Sequence, residues 1–184
     1  MSLLTTLLLL VHTAFAAPEA EQKAGSARLF GTVRANVAVP TGYTGIAQSY
    51  SAEVGALFRS GNQLGLRFAY VPYAPNVYGP NTPDHAVGPV VVWAYNIRVS
   101  PRLDLYPAVG LGAVFGPSPV NNENKVLPYI QAGLGLRGRI PMSNGGAIAI
   151  GPEVGFVPTI LAPYAAINLT MIGPKPSPIS RDEW

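Results

Sequence analysis

Between residues 28 and 172 the chain repeats one pattern: apolar and small or polar side chains alternate, in runs too long for ordinary strands. Tyr50, Ala52, Val54, Ala56 and Phe58 share one parity, and Ser51, Glu53, Gly55, Leu57 and Arg59 share the other. Leu64, Leu66, Phe68 and Tyr70 alternate with Gly65, Arg67 and Ala69. Val91, Trp93, Tyr95, Ile97 and Val99 alternate with Val92, Ala94, Asn96 and Arg98. A period of two is the signature of an extended strand with two unlike faces. The spacing predicts eight strands, over 28–39, 49–59, 63–71, 87–99, 103–115, 126–140, 146–157 and 161–172. Most reach about 10 residues, the length of a tilted membrane strand, whereas soluble strands average about 5–6.

Composition narrows what eight such strands can build. Only 11% of residues are charged, against about 25% in soluble domains. No apolar run reaches the ~18 residues of a membrane helix. A chain this apolar, without such a helix, fits a closed barrel in a membrane, because closure pairs every backbone group internally. The alternative is a soluble, lipocalin-type barrel with its apolar face inside. Twenty glycines and 19 prolines punctuate strands and turns. With no cysteine, neither disulfides nor thiol chemistry is available. A net charge of +3, dispersed along the chain, gives no basic cluster for nucleic acid.

The charges choose between the two barrels. Arg34, Glu53, Arg59, Arg67, Arg98, Asp104, Arg137, Arg139 and Glu153 all fall on the polar parity. The rest of that parity is rich in Gly and Ala, a poor soluble surface but a suitable lining for a narrow lumen. These nine residues are therefore expected to form an ion-pair network that plugs the barrel, since an unpaired charge there would be costly. Tyr50, Tyr70, Phe115 and Phe156 are expected at one membrane interface and Phe58 at the other.

The connections alternate too. "SGNQ", "SPR" and "PMSNG" are tight turns, whereas "PTGYTGIAQ", "PYAPNVYGPNTPDHA" and "GPSPVNNENK" are longer. Short turns on one rim and long loops on the other are usual in outer-membrane barrels. Ahead of the strands, "MSLLTTLLLLVHTAFA" has an apolar run and an Ala14-Phe15-Ala16 cleavage pattern, which reads as a cleaved signal peptide over 1–16. Residues 17–27 read as a flexible lead, 28–172 as the barrel, and 173–184 as a Pro-rich periplasmic tail.

With these features the chain resembles the eight-stranded outer-membrane barrels of Gram-negative bacteria, the class of the outer-membrane protein A membrane domain. The resemblance implies an all-β, eight-stranded antiparallel up-and-down transmembrane barrel in the bacterial outer membrane. It implies contact with membrane lipids and lipopolysaccharide, and insertion by the outer-membrane assembly machinery. One departure is that such barrels commonly end their last strand on an aromatic residue, where this chain has Met171-Ile172.

Motifs for chemistry are sparse. Gly133-Leu-Gly135-Leu-Arg-Gly138 matches G-x-G-x-x-G, but alternation runs straight through it and Pro141 follows where a helix should open, so a dinucleotide loop is excluded. On this reading Gly133 and Gly135 make lumen space that Arg137 and Arg139 use. His85, beside Asp84, lacks both a lipase-like His-x-Ser pattern and a metal-ligand set. Asn168-Leu-Thr170 is a glycosylation sequon on the lumen parity. The expectation is a structural or surface-scaffold barrel with no enzymatic role, no metal and no cofactor. The alternatives are a small, mildly anion-preferring passive pore and, third, a lipid-modifying barrel enzyme. The 72–86 loop, rich in Pro, Tyr and Asn, is a place for a surface partner.

Overall fold

A computed structural model describes residues 27–39, 46–72, 85–117, 124–158 and 161–174. The signal peptide, most of the lead and tail, and all but the ends of the 72–86 loop, Asp84 included, lie outside the described residues.

The described residues form nine strands: β1 Ala27–Ala38, β2 Ala47–Phe58, β3 Asn62–Pro72, β4 His85–Tyr95, β5 Ile97–Ser100, β6 Leu103–Pro117, β7 Asn124–Pro141, β8 Ala147–Val157 and β9 Ala162–Ile172. They form eight staves, because β5 continues β4 past Asn96 and both pair with β6. The break has a visible cause. Asn96 turns its backbone N–H onto Gly61 O (2.8 Å) and its side-chain amide onto the same oxygen (3.0 Å). All pairs are antiparallel, in the order β4-β3-β2-β1-β9-β8-β7-β6-β5, and β4–β6 pairing closes the ring. Closure leaves no free edge, the condition for strands to sit in hydrocarbon.

Both ends of the barrel segment, Ala27 and Ile172, lie on one rim with the turns after β2, β5 and β7. Glycine tightens the turns after β2 and β7. Gly61 (φ 90°) and Gly145 (φ 80°) adopt left-handed backbone that glycine alone takes without strain. Gly61 N–H donates to Phe58 O (3.1 Å), and Gly145 N–H to Met142 O (3.1 Å). The longer connections, which the described residues enter only at their ends, are all on the opposite rim.

The barrel is apolar outside. Leu66, Phe68, Val91, Leu111, Val154, Ile167 and their parity neighbours are exposed. Thr32, Arg34, Glu53, Arg67, Asp104, Gln131, Arg137, Glu153, Asn168 and Thr170 are buried in the lumen. The inside also holds apolar side chains: Phe30, Leu57 and Ile172 cluster toward the tight-turn rim. Leu57 keeps company with Glu53 because both follow β2's lumen parity.

Aromatic residues mark both ends of the apolar belt. Tyr50 and Tyr70 are direct cross-strand partners near the loop rim. Phe115 and Phe156, both exposed, are near the same rim. Phe58 is exposed at the tight-turn rim, and there the structure adds Trp93 and Tyr95, also exposed. Trp93 Nε1–H donates to Asn62 Oδ1 (3.1 Å).

Leu66 lies midway along β3 on the outer face. Leu66→Arg is expected to lower unfolding stability in lipid vesicles by about 2–4 kcal/mol, read by urea titration. A change within about 0.5 kcal/mol, the usual range for an exposed site in water, would mean this face is not in hydrocarbon.

Candidate functional site: the lumen network

The lumen is crossed by one connected set of polar side chains from almost every stave. Strand register creates its first element. Glu53 and Arg67 are opposite one another on β2 and β3, and Arg67 donates to Glu53 Oε2 through Nε (3.0 Å) and Nη2 (2.8 Å). Both side chains are buried.

The second element is centred on Glu153 of β8. Its Oε1 accepts from Tyr164 Oη (2.7 Å) and Gln131 Nε2 (3.2 Å), and its Oε2 from Tyr106 Oη (3.1 Å) and Asn168 Nδ2 (3.2 Å). Arg34 Nη2 pairs with Oε1 at 3.0 Å, and the Arg34 guanidinium lies 4.9 Å from the Tyr164 ring centroid. One buried carboxylate thus gathers side chains from β1, β6, β7 and β9. A charge this deep is tolerated only with such a set of partners.

Gln131 joins the two elements. Its Oε1 accepts from Arg67 Nη1 (3.1 Å) and Tyr129 Oη (3.2 Å), while its Nε2 donates to Glu153 and to Tyr164 Oη (2.8 Å). Gln63 extends the set downward: Nε2 donates to Glu53 Oε1 (3.3 Å) and Oε1 accepts from Arg137 Nη2 (3.0 Å). Arg137 also donates to Asn96 Oδ1. Its guanidinium stacks over Tyr106 at 4.0 Å from the centroid, a favourable cation–π arrangement.

Of the nine residues picked out by parity, seven pair or hydrogen-bond inside the barrel or at its lower end. Arg34, Glu53, Arg67, Arg137 and Glu153 belong to the connected set. Buried Asp104 and half-buried Arg139 form a separate pair toward the tight-turn rim. The other two are elsewhere. Arg59 is exposed in the β2–β3 turn, beyond the reach of a lumen partner. Arg98 is directly opposite Asp104 in the β5–β6 register and 4.0 Å from its Oδ1, but at the rim its side chain is 64% exposed.

The glycines make space, but not for the arginines. Tyr106 is the direct cross-strand partner of Gly135, and Tyr164 of Gly155. A Cβ on Gly135 would meet the Tyr106 ring; one on Gly133 or Gly155 would meet the Tyr164 hydroxyl. Each tyrosine lies across a glycine and brings its hydroxyl to Glu153. Parity placed Gln63, Tyr106, Gln131, Tyr164 and Asn168 inside, yet charge alone did not mark them as part of the network. The signal available was their shared parity with the charged residues.

At its loop-rim side the network ends in a narrow cleft lined by Arg34, Asn36, Ser51, Arg67, Tyr129 and Gln131. Among the described residues no three His, Cys, Asp or Glu side chains gather as metal ligands. His85 opens β4, while Asn168 and Thr170 are buried in the lumen.

The fold is that of solved outer-membrane barrels. The crystal structure of Neisserial surface protein A is similar at TM-score 0.55 and 11% identity, over 81% of this chain and 98% of that one. The N-terminal barrel domain of Pseudomonas aeruginosa OprF gives 0.49 and 11%, over 79% and 98%. Ail, the attachment invasion locus protein of Yersinia pestis, gives 0.48 and 14%, over 80% and 97%. The first of these carries the likeness of fold, a closed eight-stranded antiparallel transmembrane barrel. No protein-family model matches the chain, and no curated protein does.

Glu53→Gln leaves the Arg67 guanidinium buried without its counter-charge. It is expected to cost about 3–5 kcal/mol of unfolding stability, with much of the loss recovered in Glu53→Leu/Arg67→Met. Gly135→Ala should cost about 1–3 kcal/mol by overpacking Tyr106, and Tyr106→Leu in the same chain should relieve part of it. Denaturant titration of the single and double variants checks both.

Proposed function

We propose that this protein is a closed structural barrel of the bacterial outer membrane, exported through a cleaved signal peptide, with its lumen plugged and its loop rim held as a rigid scaffold. The observation that carries this reading is the Gln131 bridge. It ties the Glu53–Arg67 pair to the Glu153 cluster, so that side chains from opposite walls meet in the lumen. A narrow eight-stranded barrel has room to be filled by side chains, and a paired, hydrogen-bonded filling resists rearrangement. On this reading the protein performs no catalytic step. Its surroundings are membrane lipids and lipopolysaccharide, and its loop rim is the surface open to a partner.

Conduction is the competing role for the same lumen, and it can be separated from plugging. The refolded protein is expected to insert in planar bilayers without stepwise conductance. Glu53→Ala/Arg67→Ala, which removes both members of one pair, is expected to open a small conductance. Steady channels from the unaltered protein would overturn the plug. Residence is checked by fractionation: heat-modifiable migration in the outer-membrane fraction is expected, and a soluble periplasmic product would sink the membrane reading.

A further inference from the structure

The tight-turn rim carries an excess of positive charge that the plug does not use. Arg28, Arg59, Arg98, Arg102 and Arg139 lie at this end, and Asp104 is the one acid among the described residues there. Five arginines against one aspartate leave a formal excess of four. Asp104 is buried, paired with Arg139 and 4.0 Å from Arg98 Nε. Arg28 turns inward along the rim, donating to Gly173 O (2.6 Å) and Gly145 O (2.8 Å). Arg59 and Arg102 are exposed, as is most of Arg98.

These three exposed arginines occupy one sector. Arg59 is in the turn between β2 and β3, Arg98 is in β5, and Arg102 is in the turn between β5 and β6. The β2–β3 turn is fastened to the break between β4 and β5 by the paired hydrogen bonds from Asn96 to Gly61 O. On the outer wall of this sector are Phe58, Trp93 and Tyr95, with exposed Ile97 and Val99 on either side of Arg98. Arg59 follows Phe58 in sequence, and Arg98 comes three residues after Tyr95. Guanidinium groups beside interfacial aromatic and apolar side chains reach toward lipid phosphates. Both ends of the barrel segment and the tight turns share this rim, which makes it the periplasmic one for this fold. The leaflet it meets is phospholipid.

We propose that Arg59, Arg98 and Arg102 form a docking site for anionic phospholipid headgroups in the periplasmic leaflet, beneath Phe58, Trp93 and Tyr95. The inference rests on the membrane-barrel reading and adds a lipid class and the residues that select it. Guanidinium groups give phosphate planar, bidentate donors. Each basic side chain near an anionic surface strengthens association on the order of fivefold.

Trp93 is a built-in reporter for this sector. With Trp184→Phe it is the sole tryptophan, since the chain has two. The full-length chain is refolded into phosphatidylcholine vesicles doped either with brominated phosphatidylglycerol or with brominated phosphatidylcholine at equal content. Brominated phosphatidylglycerol is expected to quench Trp93 severalfold more effectively. Added salt should shrink the difference, and Arg59→Gln/Arg98→Gln/Arg102→Gln should abolish it while folding and heat-modifiable migration persist. Equal quenching by the two lipids overturns the docking site and leaves the membrane barrel standing. Quenching by neither, with water-like Trp93 emission, overturns the membrane reading itself. A preference that appears only after residues 175–184 are removed would assign the site to the chain's own Asp182 and Glu183, and so overturns lipid docking in the full protein.

Discussion

A carboxylate inside a barrel must be answered from several directions at once, and Glu153 sets this requirement for the whole lumen. Its two oxygens take Arg34, Gln131, Tyr164, Tyr106 and Asn168. No single strand could supply them. They come from β1, β6, β7 and β9, so the partners are assembled only when the ring has closed in the right register. A slip of one residue in any of these strands would turn its contribution to the lipid side. The polar network and the strand register therefore specify each other.

The same requirement explains the glycines. Large side chains cannot face one another at every level of an eight-stranded lumen. Tyr106 lies over Gly135 and reaches across β7 to the carboxylate, and Tyr164 lies over Gly155 on the carboxylate's own strand. Backbone packing makes a further demand, since a Cβ on Gly151 would strike the Leu136 carbonyl. What resembled a nucleotide-binding loop over 133–138 is a stretch of wall thinned for its neighbours' tyrosines.

Charge is distributed differently at the lumen and the periplasmic rim. Inside, Arg34 and Arg67 are matched to Glu153 and Glu53, because burial makes an unmatched charge expensive. At the rim, Arg59 and Arg102 are exposed and stand without that constraint. The apolar belt between them is the reason the two populations do not mix: a charge on its outer face has neither partner nor solvent.

Much of this was legible in the chain. Period-two alternation determined eight long strands, which face was polar, and the alternation of tight turns with long connections. It also placed Glu53 and Arg67, or Arg34 and Glu153, on the inner parity. Parity is a local property of an extended backbone, so a single sequence carries it. Pairing is not local. That Glu53 meets Arg67, that Gln131 bridges to Glu153, and that the lumen glycines serve Tyr106 and Tyr164 rather than Arg137 and Arg139 depend on which residues the register sets side by side across strands. Arg59 and Arg98 lie where parity stops deciding. Both obey the alternation in sequence, yet a turn removes one from the strand and the other, though opposite Asp104, stands in solvent at the rim, so only the tertiary structure decided which charges are inside.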